Sequence, residues 1–379
     1  MNSMRVLICP DKFAGTLSAV EAAEAIADGW RSAAPDDTLT LRPLSDGGPG
    51  FVEVIAAAKP DARRIPVPTT DPLGRPVAGE VLVDADGGGT AYVESAQACG
   101  LHLLAEAERD PKRTTSYGLG PLLVAAVEAG ARTVVVGLGG SATNDGGAGL
   151  LSAVGLTPRT SSGLFIGYGG AAVAQTATID GTPHLRGAAL VAATDVDSPL
   201  TGLHGASAVF GPQKGATRED VLLLDDALSR FSQVLETSIS TCPPGLAGLP
   251  GAGAAGGLGA AILALGGRVE SGIGLVRALT GLDRHLDESD LVITGEGSFD
   301  EQSLHGKVVA GVAGAARDRG VPCVVLAGRI TAGRRPAMAA GVTEMHALTD
   351  HFGAVDEAMS RPAEGLCALG ARLAGQWSR

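Results

Sequence analysis

Residues 133–147 read Thr-Val-Val-Val-Gly-Leu-Gly-Gly-Ser-Ala-Thr-Asn-Asp-Gly-Gly, a β-branched run that empties into a polar, glycine-rich loop. A run of this kind fits a buried strand, and the loop offers hydroxyl, amide and carboxylate groups at its end. The same order recurs along the chain, with Ala-rich helical stretches between. Val6–Cys9 leads into Pro10-Asp11-Lys12 and then Ser18-Ala-Val-Glu21, a capping-box helix start. Thr38–Leu44 runs into Ser45-Asp46-Gly47-Gly48 and a helix from about Phe51. Ala91–Val93 meets Glu94, and Ala189–Ala193 ends at Thr194-Asp195. Leu291–Ile293 opens on Thr294-Gly295-Glu296-Gly297, and Val324–Leu326 on Ala327-Gly328.

Alternation of this type predicts βαβ units and parallel strands, hence an α/β fold. Ligands of open parallel sheets bind outside the carboxyl ends of the strands, where the Asp, Glu and Gly clusters stand. At 379 residues the chain suffices for two domains. The opening and closing units suit one Rossmann-like parallel-sheet domain, residues 1–65 plus 285–379, with an inserted second α/β domain at 66–284. The active site is expected in the cleft between them.

Composition narrows the chemistry. A net charge of −12 argues against nucleic acid as the main partner. The five cysteines are scattered and form no CxxC pair, so neither a disulfide framework nor a zinc site is indicated. No signal-peptide pattern occurs, and no apolar run reaches the roughly 18 residues of a membrane span, so a cytoplasmic protein without membrane contact is the default expectation. A homodimer is the base-rate expectation.

The motifs exclude several classes. Gly251-Ala-Gly-Ala-Ala-Gly256 has the GxGxxG spacing but follows Leu249-Pro250 rather than a strand. The loop after Val136 does follow a strand, yet no acidic residue occurs between Asp145 and Asp180 to hold a ribose, which argues against a nicotinamide cofactor. GxxxxGK[ST] and GxSxG are absent, so neither a P-loop kinase nor an α/β-hydrolase is supported. What remains for the glycine loops is anion binding through backbone N–H groups, with Ser141 and Asn144 in one loop and Gly253, Gly256 and Gly257 in the other, or tight packing. The histidines are dispersed, and only His305 falls inside a lysine motif. Lysine occurs five times, and Lys12, Lys214 and Lys307 sit in glycine-containing loops suited to phosphate. Asp46, Asp195, Glu296 and Asp300 stand at strand ends. Phosphoryl transfer needs such a set: carboxylates to hold Mg²⁺ and accept a proton, with cations on the phosphate.

These segments together resemble the bacterial glycerate kinase family of the 2-phosphoglycerate-forming type. The likeness runs through Pro10-Asp-Lys-Phe-Ala-Gly-Thr16, Ser45-Asp-Gly-Gly48, Arg109-Asp-Pro111 with Thr114-Thr-Ser-Tyr-Gly118, Gly139–Gly149, Phe210-Gly-Pro-Gln-Lys-Gly-Ala216, Pro250–Gly257 and Ile293-Thr-Gly-Glu-Gly297 with Asp300-x-Gln302-Ser303. The resemblance implies ATP, Mg²⁺ and D-glycerate, phosphorylated at the 2-hydroxyl. On that reading Asp300, Asp195, Lys307 and Lys12 are catalytic, and Asp195 and Glu296 hold metal. Asp46, Ser116, Ser141, Asn144, Lys214, Gly253, Gly256 and Gly257 bind substrate or phosphate. Departures fall at Ala14, where the family usually has Lys, at Pro49, Pro121 and Gly274, where it has Glu, and at Ser298, where Arg is common; Lys12 is near enough to stand in for the lysine. Two alternatives stay open: a kinase of another small hydroxy acid, or a non-catalytic ligand-binding member of the same fold.

Overall fold

A computed structural model describes residues 3–84, 89–304 and 308–378. The chain divides into two compact units. Unit 1 comprises residues 1–46, 53–60 and 273–379, and unit 2 comprises 47–52 and 61–272. The first unit therefore takes residues 273–284, and the second takes 47–52 and 61–65, relative to the expected divisions.

Unit 1 carries a five-stranded, wholly parallel sheet. Its order is Glu344–Ala347, Cys323–Ile330, Leu291–Phe299, Arg5–Ile8, Thr38–Leu41. The interior strand Arg5–Ile8 is buried except at its first residue, as a parallel strand covered on both faces must be. Ser18 caps the helix Ala19–Ala33 with the capping box foreseen: its hydroxyl accepts from Glu21 N, and the Glu21 carboxylate accepts from Ser18 N. This helix sets Ile26 and Trp30 into a core with Val6, Ile8, Ile293, Val324 and Leu366. The indole N–H of Trp30 still finds a partner, Asp37 Oδ2 at 2.9 Å.

Unit 2 carries a six-stranded sheet in the order Arg268–Glu270, Ala189–Ala193, Thr133–Gly137, Thr90–Glu94, Pro76–Val83, Arg63–Thr70. Its first four strands are parallel, and the last two are antiparallel, so this sheet is mixed. Proline removes a ladder donor, and Arg63–Thr70, with Pro66 and Pro68, accordingly lies at the sheet edge. A small hairpin joins Leu156–Arg159 to Thr178–Gly181.

One strand runs past its expected end. Leu291–Phe299 continues through Thr294, Glu296 and Ser298, pairing Glu296 with Ala327 and Ser298 with Arg329. Gly295 and Gly297 read as loop residues in the sequence but take extended strand conformations here, so Glu296 is a strand residue. Neither glycine has a positive φ.

Candidate active site

In unit 1 the carboxyl ends of the strands border a cavity of about 450 Å³. Asp11 and Lys12 reach it from the loop after Arg5–Ile8, and Asp46 from the segment after Thr38–Leu41. Glu296 and Ser298 come from one strand and Arg329 from its neighbour, in register with Ser298. Asp300 follows the first of these strands. Four of the predicted residues (Lys12, Asp46, Glu296 and Asp300) are thus brought together by a single sheet edge, as strand-end chemistry requires.

Local bonding fixes these groups. The Lys12 ammonium lies 3.8 Å from Asp11 Oδ1 and 3.9 Å from Asp46 Oδ1. Asp11 Oδ1 also accepts from Lys12 N at 2.7 Å, which braces the turn. Asp300 caps the short 3₁₀ turn Gln302–Leu304: its Oδ1 accepts from Gln302 N at 2.8 Å and from Ser303 N at 3.1 Å. Glu296 is 9% exposed. Arg329 is exposed and has no carboxylate partner among the described residues. Four carboxylates face two cations here, an excess of negative charge that a bound cation would offset.

No group of three or more His, Cys, Asp or Glu side chains suited to a metal occurs among the described residues. Mg²⁺ does not need one, because it is usually bound by one or two carboxylates plus waters and phosphate oxygens. Hard oxygen donors on Glu296, Asp300, Asp46 and Asp11 fit that requirement. Lys12 and Ala14 line the same cavity, so the lysine at position 12 serves the space that position 14 also borders. Lys307 and His305 lie outside the described residues. Asp11 and Arg329 were missed as site residues, although both belong to motifs at strand ends.

Unit 2 holds the remaining predicted residues, and most are internal. Asp195 is exposed just beyond Ala189–Ala193, and its Oδ1 accepts from Ser271 Oγ at 2.6 Å. Ser116 is fully buried: its hydroxyl donates to Asp145 Oδ2 at 2.9 Å and accepts from Leu150 N at 3.0 Å. Its hydroxyl thus ties the 116 segment to the 145–150 turn. Asp145 itself accepts from Ser116 N, Gly147 N and Gly149 N as well, although burial pushes its carboxyl above the usual range.

Lys214 is likewise 2% exposed, with Nζ donating to Ser141 Oγ at 3.0 Å and Thr143 O at 2.7 Å. Burial pulls this ammonium down to about 7, against the opposing pull of Asp145 and Cys99. It braces the 141–143 loop from within. Asn144 is fully buried and donates from Nδ2 to Ser207 Oγ at 2.8 Å; its Oδ1 has no partner among the described residues.

The Gly253–Gly257 loop is also close-packed. Gly253 N donates to Ser198 O and Gly256 N to Gly253 O, so these two N–H groups are committed within the protein. Ala255, Gly256 and Gly257 are left-handed in succession. A Cβ on Gly256 would fall 1.9 Å from Thr143 O, and one on Gly257 2.6 Å from Gly146 Cα. Of the two sequence readings of this loop, tight packing against 143–146 accounts for these glycines. A second cavity, of about 550 Å³, is bordered by Arg109, Asp110 and Arg113, and there Lys112 pairs with Asp220 at 2.8 Å.

No described helix is long and apolar enough to cross a membrane. Comparison with known proteins accords with this geometry. The model of the glycerate kinase family matches residues 6–378. Glycerate 2-kinase of Escherichia coli strain K12 is 39% identical over 375 residues, covering 98% of this chain and 97% of the relative. Glycerate kinase of Bacillus subtilis strain 168 is 41% identical over 365 residues, covering 95% and 94%. A crystal structure from Salmonella typhimurium LT2, assigned as a glycerate kinase 2, superposes with a TM-score of 0.80 at 38% identity over 99% of this chain and 98% of that one. With the match running from end to end, the chain belongs to the glycerate kinase family.

Proposed function

We propose that the protein transfers the γ-phosphoryl group of Mg·ATP to the 2-hydroxyl of D-glycerate. The observation that carries this reading is the unit 1 cavity, where Asp11, Asp46, Glu296 and Asp300 meet Lys12 and Arg329 at one sheet edge. A relative named glycerate 2-kinase supports the 2-position. In the reaction the glycerate oxygen bonds to the γ-phosphorus as the bond to the β–γ bridging oxygen breaks, and ADP leaves. The hydroxyl proton passes to a carboxylate, for which we assign Asp300 or Asp195. Glu296, with the other of that pair, would hold Mg²⁺, which when bound neutralises charge on the phosphates. Lys12 and Arg329 supply positive charge for the phosphate oxygens. Lys214 acts from within by holding Ser141 and Thr143 in place.

The test is coupled ADP release from Mg·ATP and D-glycerate, with the product identified by NMR. Loss of the base should lower turnover by about 10²–10⁴-fold. If Asp300→Asn and Asp195→Asn both retain near-native turnover, the assignment of base is wrong. A panel of small hydroxy acids separates glycerate from its analogues. Nucleotide binding without turnover on any of them would mark a non-catalytic member.

A further inference from the structure

The unit 1 cavity has an apolar wall that phosphoryl chemistry leaves unused. Leu348, Val355, Ala358, Met359 and Pro362 line it, from the consecutive helices Leu348–Phe352, Val355–Ser360 and Pro362–Trp377. Leu348 and Ala358 are buried, whereas Val355 and Met359 are each 54% exposed. A single exposed aliphatic residue on a convex surface needs no explanation. Two of them lining a concavity that also holds four carboxylates and two cations do call for one. Small-molecule sites are mostly apolar with a few convergent polar groups, and at about 300–1,000 Å³ their usual size includes this cavity.

A ligand matched to both walls is anionic at one end and flat and apolar at the other. Within the Mg·ATP reading, on which this inference rests, the phosphates belong with Lys12 and Arg329. That leaves the aliphatic residues for the base. Met359 suits an aromatic ring because its thioether is polarizable and its side chain adapts to a flat surface. Thr349 adds a hydroxyl on the same wall. We propose that the wall formed by Leu348, Val355, Ala358 and Met359 seats the purine ring of the nucleotide. Since apolar contact dominates there, the site favours purine over pyrimidine triphosphates by area and discriminates only weakly between adenine and guanine.

The experiment is calorimetric titration of the full chain with Mg·ADP and with magnesium pyrophosphate. The wild type should bind Mg·ADP at least about tenfold more tightly than pyrophosphate. The double variant Val355→Ser with Met359→Gln, at exposed positions and without added charge, should lose about tenfold in Mg·ADP affinity and keep its pyrophosphate affinity. Equal affinities of the wild type for the two ligands would overturn the base seat without needing any variant. So would a double variant that binds Mg·ADP as the wild type does, or that weakens toward both ligands alike. A wild type that binds neither ligand overturns the Mg·ATP reading itself, and the base seat with it.

Discussion

Replacing Gly256 by alanine tests whether the 253–257 loop is built for packing. Gly256 has φ +71°, in the left-handed region, and its added Cβ would lie 1.9 Å from Thr143 O and 2.9 Å from Asn144 Cα. Gly245 is the matched control: it has φ +72°, belongs to the same unit, and has nothing within 4 Å of its Cβ position. An L-residue in this backbone region costs roughly 1–2 kcal/mol at either site. Forcing a methyl into close-packed backbone adds about 1–3 kcal/mol at Gly256 alone. The expected losses are therefore about 2–5 kcal/mol for Gly256→Ala and about 1–2 kcal/mol for Gly245→Ala. With a urea slope near 3 kcal/mol/M, these become midpoint decreases of about 0.7–1.7 M and about 0.3–0.7 M. Far-UV circular dichroism is the readout, because Trp30 and Trp377 both lie in unit 1 and their emission follows that unit. Equal losses for the two variants would refute the packing argument and return the Gly256 backbone to the list of ligand contacts.

Three further outcomes follow from the same geometry. Ser116→Ala should cost about 1–3 kcal/mol, because Leu150 N loses its acceptor and buried Asp145 a donor, with KM for glycerate unchanged; a KM rise at unaltered stability would make Ser116 a substrate contact after all. Lys214, held near 7 against an ordinary 10.5, releases its proton in the folded protein while the unfolded chain still keeps it between those values. Its contribution to stability therefore rises with pH through that window, by up to about 1.4 kcal/mol per unit relative to Lys214→Met, and its penalty is full below it; urea unfolding at pH 7.5 and 9 should show the gap widening, and a constant gap would mean the folded amine stays charged. Arg329→Gln should lower kcat/KM for ATP by about 10–100-fold, with Arg329→Lys recovering part of the loss, in steady-state assays; an unchanged value would remove Arg329 from the phosphate end.

The parallel strands were legible because β-branched runs ending in polar glycine loops have few other uses. Ala189–Ala193 begins and ends where the sequence puts it, and the Ser18–Glu21 box starts its helix. The hairpin Arg63–Val83 was not legible, since Pro66 and Pro68 hide a strand that only an edge position permits. Lys12, Asp46, Glu296 and Asp300 could be picked out because ionisable groups at strand ends are seldom needed for packing. Motif reading does not tell the burial of Ser116 and Lys214, for a physical reason: a residue that holds a loop in place and one that touches a ligand recur in the same loop, and burial and hydrogen bonds within the protein are visible only in the fold. The apolar wall left no signal, because Leu348, Val355 and Met359 lie on short helices and read as ordinary core.

Pairing between strands is information that a linear reading lacks, and it changes the meaning of one departure. Taken along the chain, Ser298 is a lost arginine, because the resemblance leads one to expect a guanidinium at that position. In the sheet, Ser298 and Arg329 are register partners on adjacent parallel strands, and both line the unit 1 cavity. Partners in register present their side chains to the same face of a sheet, about one strand spacing apart. A guanidinium on a long, flexible stem at position 329 can cover the space that one at 298 would serve. The cavity therefore has an arginine on the strand beside Ser298, at the position in register with it.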